Sequence, residues 1–301
     1  MGTVLEVQVF AADPARARRL AREVFARVGE LEALLSHYEP ASDVTRLSRT
    51  AGGGPQRVDP RVSRVLRRSL ELGELTGGAF DVTLGPVLAF WRDASGPGAS
   101  LPAAVRARSG QDKLQVLPDG RVALLAPGMA LDLGAVAKGW ALDRSVEGLR
   151  KGGAEAALLS FGQSSVWALG APPRTDGWTL ALRAPGGGLQ GTVTLRDQAL
   201  SFSVARAPEP PARPGEPPGR APLVDPRTLR PVGGRGAVTV VAPDAALADA
   251  LSTALLVLGP GEGRSLVKSL PGVEALIAER DGSTWQSPGW AHVTRYQPVA
   301  R

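Results

Sequence analysis

The period at which apolar residues recur changes along this chain, and that change constrains its fold more than any other feature. Residues 4–10 alternate at period two, as a strand with one buried face does. Residues 14–35 then place Ala17, Leu20, Val24, Val28, Leu31 and Leu35 at steps of three and four, the stripe of an amphipathic helix. Pro40 ends that helix, Ser42 or Asp43 can cap a short turn after it, and residues 60–75 repeat the helical stripe with Val62, Val65, Leu66, Leu70 and Leu72. Residues 114–116 and 122–125 flank the turn Pro118-Asp119-Gly120 as a hairpin. A helix is expected over 141–150, then a meander of short strands at 156–160, 166–169, 178–183 and 191–195. Beyond it come a buried strand at 238–242, a helix over 245–258 ended by Gly259-Pro260, further segments at 263–270 and 274–279, and a final strand near 290–296. Hairpins mixed with crossover helices predict an α+β fold with a mixed, largely antiparallel sheet and packed helices.

Composition narrows the function classes. The 301 residues are 43% apolar, enough for a full core, and read as a single domain over 1–301. The absence of cysteine excludes disulfides, thiolate nucleophiles and cysteine-ligated metal centres, and two histidines, His37 and His292, leave little for a histidine-rich metal site. The net charge of +6 comes almost wholly from arginines scattered along the chain, without aromatic platforms between them, so no nucleic-acid partner is expected. The longest apolar run, 246–258, carries Asp249, Ser252 and Thr253, so no membrane span is expected. Residues 1–11 have neither a basic region nor a cleavage site, which reads as cytoplasmic as written, or periplasmic after removal of a leader. Residues 205–222 are proline-rich with no apolar face and read as a mobile loop.

Four places carry chemistry. Asp249 and Thr253, four apart on an expected helix, project oxygens from one face and can hold a hard cation; their apolar neighbours bury the carboxylate, which then needs a partner. In LDLGAVAKGWALD (131–143) a strand end turns through Gly134 into a helix start, where Lys138 and free N–H groups can meet phosphate, although Lys138-Gly139 reverses the order of a nucleotide-hydrolysing P-loop. TGGAFDVT (76–83) is a glycine-bent loop around Phe80, and Tyr38 offers an aromatic face for stacking or for packing at a rim.

Taken in order, MGT (1–3), SHYEPASDVTRLS (36–48), TGGAFDVTLGPVLAFW (76–91), LDLGAVAKGWALD (131–143), GQSSVWALG (162–170), VDPRTLRPV (224–232) and VTVVAPDAALADALSTALLVLG (238–259) resemble the ApbE family, the FAD:protein FMN transferases, over essentially the whole chain. The resemblance implies an ApbE-like, T-fold-like architecture with a cofactor cleft between two interlocked lobes. It also implies FAD as substrate, Mg²⁺ as cofactor, and a flavoprotein acceptor modified on Ser or Thr. It places the metal on the Asp249 carboxylate, the Thr253 hydroxyl and the Ala135 carbonyl, and the flavin nucleotide against Met1, Tyr38, Ala79, Phe80, Asp81, Asp132, Lys138 and Leu223.

The chain also departs from the family pattern. The segment that ends in His-Ile-Ile-Asp-Pro-x-Thr-Gly is here PLVDPRTL, with Pro222 at the histidine and Leu229 at the glycine, and Gln163-Ser164 replace a glycine pair. Proline has no side-chain proton acceptor, which leaves three readings: a transferase with a diverged loop, an FAD pyrophosphatase, or a degenerate FAD-binding protein without transferase activity.

Overall fold

A computed structural model describes residues 3–93, 99–184, 188–205, 223–233, 236–279 and 281–298. In chain order the elements are β1 (Leu5–Phe10), α1 (Pro14–Leu35), α2 (Asp43–Arg49), α3 (Pro60–Leu75), α4 (Gly85–Asp93), α5 (Ala103–Arg106), β2 (Leu114–Val116), β3 (Val122–Leu124), α6 (Ala137–Lys151), β4 (Ala156–Phe161), β5 (Ser165–Leu169), β6 (Trp178–Arg183), β7 (Leu189–Leu195), β8 (Gln198–Ala205), β9 (Val224–Asp225), β10 (Arg230–Pro231), β11 (Gly236–Ala242), α7 (Ala245–Ser269), β12 (Glu274–Ala278), β13 (Thr284–Gln286), α8 (Trp290–Thr294) and β14 (Gln297–Pro298). The chain divides into two compact units, one of residues 1–31, 136–204 and 236–301, the other of residues 32–135 and 205–235.

The first unit holds a seven-stranded sheet in the order β1-β4-β5-β8-β11-β12-β13, with β1, β4, β5 and β8 antiparallel in turn and β11, β12 and β13 likewise. A three-stranded sheet, β14-β7-β6, lies beside a core of Val166, Trp178, Val193, Leu195, Val241 and Trp290. β11 is buried at every position, as a β-branched run without polar alternation requires. α7 follows it, capped by the Asp244 carboxylate on the Leu247 N–H, and breaks where sequence expects: Gly259 takes φ 73° and Pro260 restarts the helix.

The second unit is mostly helical. α3 is capped by Asp59 with Pro60 in its first turn, and the β2–β3 hairpin turns through Gly120 at φ 83°. Leu84, Val87, Val224 and Leu229 form a small buried cluster against Trp91, whose indole N–H donates to the Leu229 carbonyl at 2.9 Å.

Four elements differ from the sequence expectation. α6 begins at Ala137 rather than 141, because its free N–H groups are met by a carboxylate from another helix and not by a local cap. The expected strand near 290–296 is the helical turn α8: Glu274 accepts from the Gly289 N–H and the Ser287 hydroxyl, Trp290 is fully buried, and Arg295 in a left-handed conformation ends the turn. β8 and α4 lie outside the strands and helices read from the sequence, α4 because Gly85-Pro86 reads as a breaker. The loop expected at 205–222 falls, after Ala205, outside the described residues.

Candidate active site

In the first unit, α6 and α7 meet so closely that a methyl group on Gly139 would come within 2.1 Å of the Ala245 carbonyl oxygen, so only glycine fits there. That approach puts the Gly139 N–H 2.7 Å from the Asp249 Oδ2. The second oxygen, Oδ1, accepts from the Ser165 hydroxyl of β5 at 2.7 Å, and the Lys138 ammonium stands 4.0 Å from Oδ2. Asp249 is 3% exposed, and two neutral donors and one cation offset its desolvation while each oxygen keeps a lone pair.

Thr253, one turn along α7, is half-buried, and its hydroxyl makes no hydrogen bond among the described residues. Ser252 does the local back-bonding instead, to the Asp249 carbonyl at 3.0 Å, and joins Ser201 and Ser203 of β8 through hydroxyl contacts of 3.1 and 2.8 Å. The Asp249–Thr253 face thus offers one buried carboxylate and one free hydroxyl. Among the described residues no three His, Asp or Glu side chains gather into a cage. A cation held here would keep most of its coordination for water or phosphate oxygen, which fits Mg²⁺.

Asp143 anchors this arrangement from behind. It accepts from the Ala245 and Ala246 N–H groups at 2.8 and 3.0 Å and from the Trp167 indole at 2.9 Å, so α6 and β5 hold the start of the helix that carries Asp249. Burial pushes its carboxyl up to about 6 against these donors, with the Asp244 charge adding to the rise. Sequence reading missed Asp143, Ser165 and Gly139 as partners. A glycine and two acids inside an otherwise apolar helix pair were the available signal.

In the second unit, the loop 76–83 is tied by the Thr76 hydroxyl, which donates to the Leu72 carbonyl and accepts from the Phe80 N–H, while Gly77 and Gly78 take left-handed conformations. Ala79 and Phe80 are buried, and the Phe80 carbonyl accepts from the Gln111 side-chain amide. Asp81 accepts from the Thr83 N–H at 2.7 Å, and burial raises its carboxyl above the usual range. The Asp132 N–H donates to the Val82 carbonyl and its carboxylate turns back onto the Gly134 N–H, which brings Asp132 alongside this loop. The Arg227 side chain lies over Gly78, so the segment after Leu223 also adjoins it. Tyr38 is 77% exposed, its ring tilted by 42° against that of His37 with centroids 3.9 Å apart. Ala135 lies in the turn before Val136. Met1 and Pro222 lie outside the described residues.

Two of the three positions where the resemblance expects glycine have left-handed backbone: Leu229 has φ 59° and Gln163 φ 56°.

A family model described as the ApbE family matches residues 1–277. An FAD:protein FMN transferase of Klebsiella pneumoniae (strain 342) is 30% identical over 305 residues, covering 96% of this chain and 85% of the relative. One of Treponema pallidum (strain Nichols) is 31% identical over 315 residues with the same coverage. The crystal structure of the Pseudomonas stutzeri flavinyl transferase ApbE in its apo form superposes with a TM-score of 0.81 at 29% identity, covering 98% of this chain and 94% of that one.

Proposed function

The chain belongs to the ApbE family, and from that premise we propose that it acts as its curated relatives are named, as an FAD:protein FMN transferase. A Ser or Thr hydroxyl of an acceptor flavoprotein attacks the FMN phosphorus, the bond to the AMP oxygen breaks, AMP leaves with the electron pair, and the hydroxyl proton passes to the leaving phosphate or to water. The observation that carries this reading is the setting of Asp249, buried, held at both oxygens and one turn from a free threonine hydroxyl. Asp249 and Thr253 would hold Mg²⁺, with the Ala135 carbonyl as the third ligand implied by the family pattern. When bound, the cation supplies neutralisation of the charge that develops on the leaving phosphate.

The chain's own residues prepare that end of the site. Gly139 and Ser165 fix the carboxylate so that it does not turn as charge arrives, which is the preorganisation that electrostatic catalysis needs. Lys138, in the first turn of α6, carries a positive charge toward the same carboxylate and is placed to meet a phosphate oxygen. In the other unit, Ala79 to Asp81, Asp132 and Leu223 are the positions assigned to the nucleotide, and the exposed Tyr38 face is assigned to the flavin ring.

Pro222 favours a second reading, hydrolysis of FAD to FMN and AMP with water in place of the acceptor hydroxyl, since no side chain at that position can take the acceptor's proton. One experiment separates the two. The chain is incubated with FAD and Mg²⁺, with and without a serine- and threonine-containing peptide, and FAD, FMN, AMP and flavinylated peptide are resolved by chromatography. AMP with peptide-bound flavin establishes transfer; AMP with free FMN alone establishes hydrolysis. FAD recovered unchanged removes both.

A further inference from the structure

In the second unit, three stretches of chain build a groove of about 710 Å³ that the transferase reading leaves unused. Arg57 enters it from the segment before α3, Arg64 and Arg67 from the exposed face of α3, and Arg121 from the β2–β3 hairpin, with the exposed Asp119 and the buried Ser63 also in its lining. Each wall is pinned. Arg46 donates to the Arg57 carbonyl at 2.8 Å, Gln56 pairs with Val122 through both backbone bonds, and the hairpin turn sits against α3, where a methyl group added to Gly120 would stand 3.7 Å from the Ser63 hydroxyl.

The charge is lopsided. Arg121 is paired with Asp119 at 2.7 Å, and Asp59 nearby is taken by Arg61. The guanidinium groups of Arg57, Arg64 and Arg67 have no ion pair among the described residues, and Arg67 has only a long contact, 3.5 Å, to the Leu117 carbonyl. Four guanidinium groups against the single Asp119 carboxylate leave the groove net basic, and guanidinium is the side chain best matched to carboxylate.

The lining favours one kind of anion. It has no aromatic ring on which a base could stack, and its arginines are spread over three stretches of chain, with Arg64 and Arg67 one turn apart on α3. Val58, Pro60 and Pro118 offer carbon faces between the charges. Alternating carbon and guanidinium surface suits an extended peptide with acidic side chains. We propose that this groove docks an acidic segment of the acceptor protein. The proposal rests on the transferase reading for its partner, while the binding itself is measured without catalysis.

The test is fluorescence anisotropy of a labelled ten-residue glutamate peptide on the full chain, at low and high salt. The groove variant combines Arg57→Glu, Arg64→Glu and Arg67→Glu; the control, with the same charge change on the exposed side of α1, combines Arg18→Glu, Arg19→Glu and Arg22→Glu. The groove variant is expected to bind roughly tenfold or more weakly while the control keeps most of the affinity, and salt is expected to weaken the parent protein. Melting curves confirm that both variants are folded. Equal loss in both variants, no binding by the parent, or displacement of the peptide by ATP or a single-stranded oligonucleotide at lower concentration than by unlabelled glutamate peptide would each overturn the proposal. AMP release from FAD is measured in the same proteins. If none releases AMP, the transferase reading fails and the anisotropy still decides what the groove binds; if the parent releases AMP, the groove variant is expected to do so equally.

Discussion

The surroundings of Asp249 and the segment 223–232 are both parts of the family pattern, yet they have been kept in different ways. Around Asp249 the chemistry is intact: glycine where two helices touch, a carboxylate held by Gly139 and Ser165, a threonine hydroxyl left free. In the other segment Pro222 and Leu229 stand where the resemblance expects histidine and glycine, and Leu229 holds a left-handed turn, fastened by its buried side chain and by the Trp91 bond to its carbonyl. A backbone can outlast the side-chain chemistry it was built to present, because packing holds the turn and a lost proton acceptor leaves the core untouched.

The sharpest way to break this comparison is to restore the missing chemistry. If the turn is intact and only the base is lost, Pro222→His raises peptide flavinylation by roughly a hundredfold or more, the usual worth of a general base, with little change in FAD binding. No gain would show that the segment has lost its geometry too.

The next largest effect lies at the intact end. Gly139→Ala drives a methyl group into the Ala245 carbonyl, so the α6–α7 approach must open, at a cost of about 1–3 kcal/mol in unfolding free energy by denaturant titration. An unchanged midpoint would mean the approach is not tight.

Asp143 gives the same region a pH signature. Its carboxyl is raised from 3.8 to about 6 by burial, so between those values the folded chain binds a proton that the unfolded chain has released. The stability this group contributes is therefore full below about pH 4 and falls as pH rises to about 6, by on the order of 3 kcal/mol. Unfolding curves between pH 4 and 7 should show that slope, and Asp143→Asn should flatten it. An unchanged slope in the variant would assign it to other groups.

The smallest effects carry opposite signs. Gln163 is exposed, so Gln163→Gly removes left-handed strain at no burial cost and should stabilise by about 0.5–1 kcal/mol. Leu229→Gly relieves the same strain but empties a buried position, and should destabilise by about 1–2 kcal/mol. Equal signs would mean that packing does not hold the second turn.

Much of this was legible in the sequence. The ends of α1 and α3 follow from Pro14, Pro60 and their apolar stripes, and the break in α7 from Gly259-Pro260, because such signals are local. What escaped is what one segment does to another. α6 starts early because Asp249 caps it from a distant helix, and residues 290–294 coil because Glu274, on another strand, takes the Gly289 N–H. At the site, Asp249 and Thr253 were readable from their spacing, whereas Ser165 and Asp143 become partners only once β5 and α6 reach α7. The arginine groove was hidden for the same reason, since residues 57, 64, 67 and 121 look scattered until the hairpin folds against α3.

The claim on which the rest depends is that Asp249 organises the pyrophosphate end. The most direct measurement is AMP release from FAD as a function of Mg²⁺ concentration, in the parent chain and in Asp249→Asn, which keeps the shape and removes the charge. The account predicts saturable, Mg²⁺-dependent release by the parent and a loss of roughly a hundredfold or more in the variant, with both chains folded. Undiminished release by Asp249→Asn at the same Mg²⁺ dependence would contradict it.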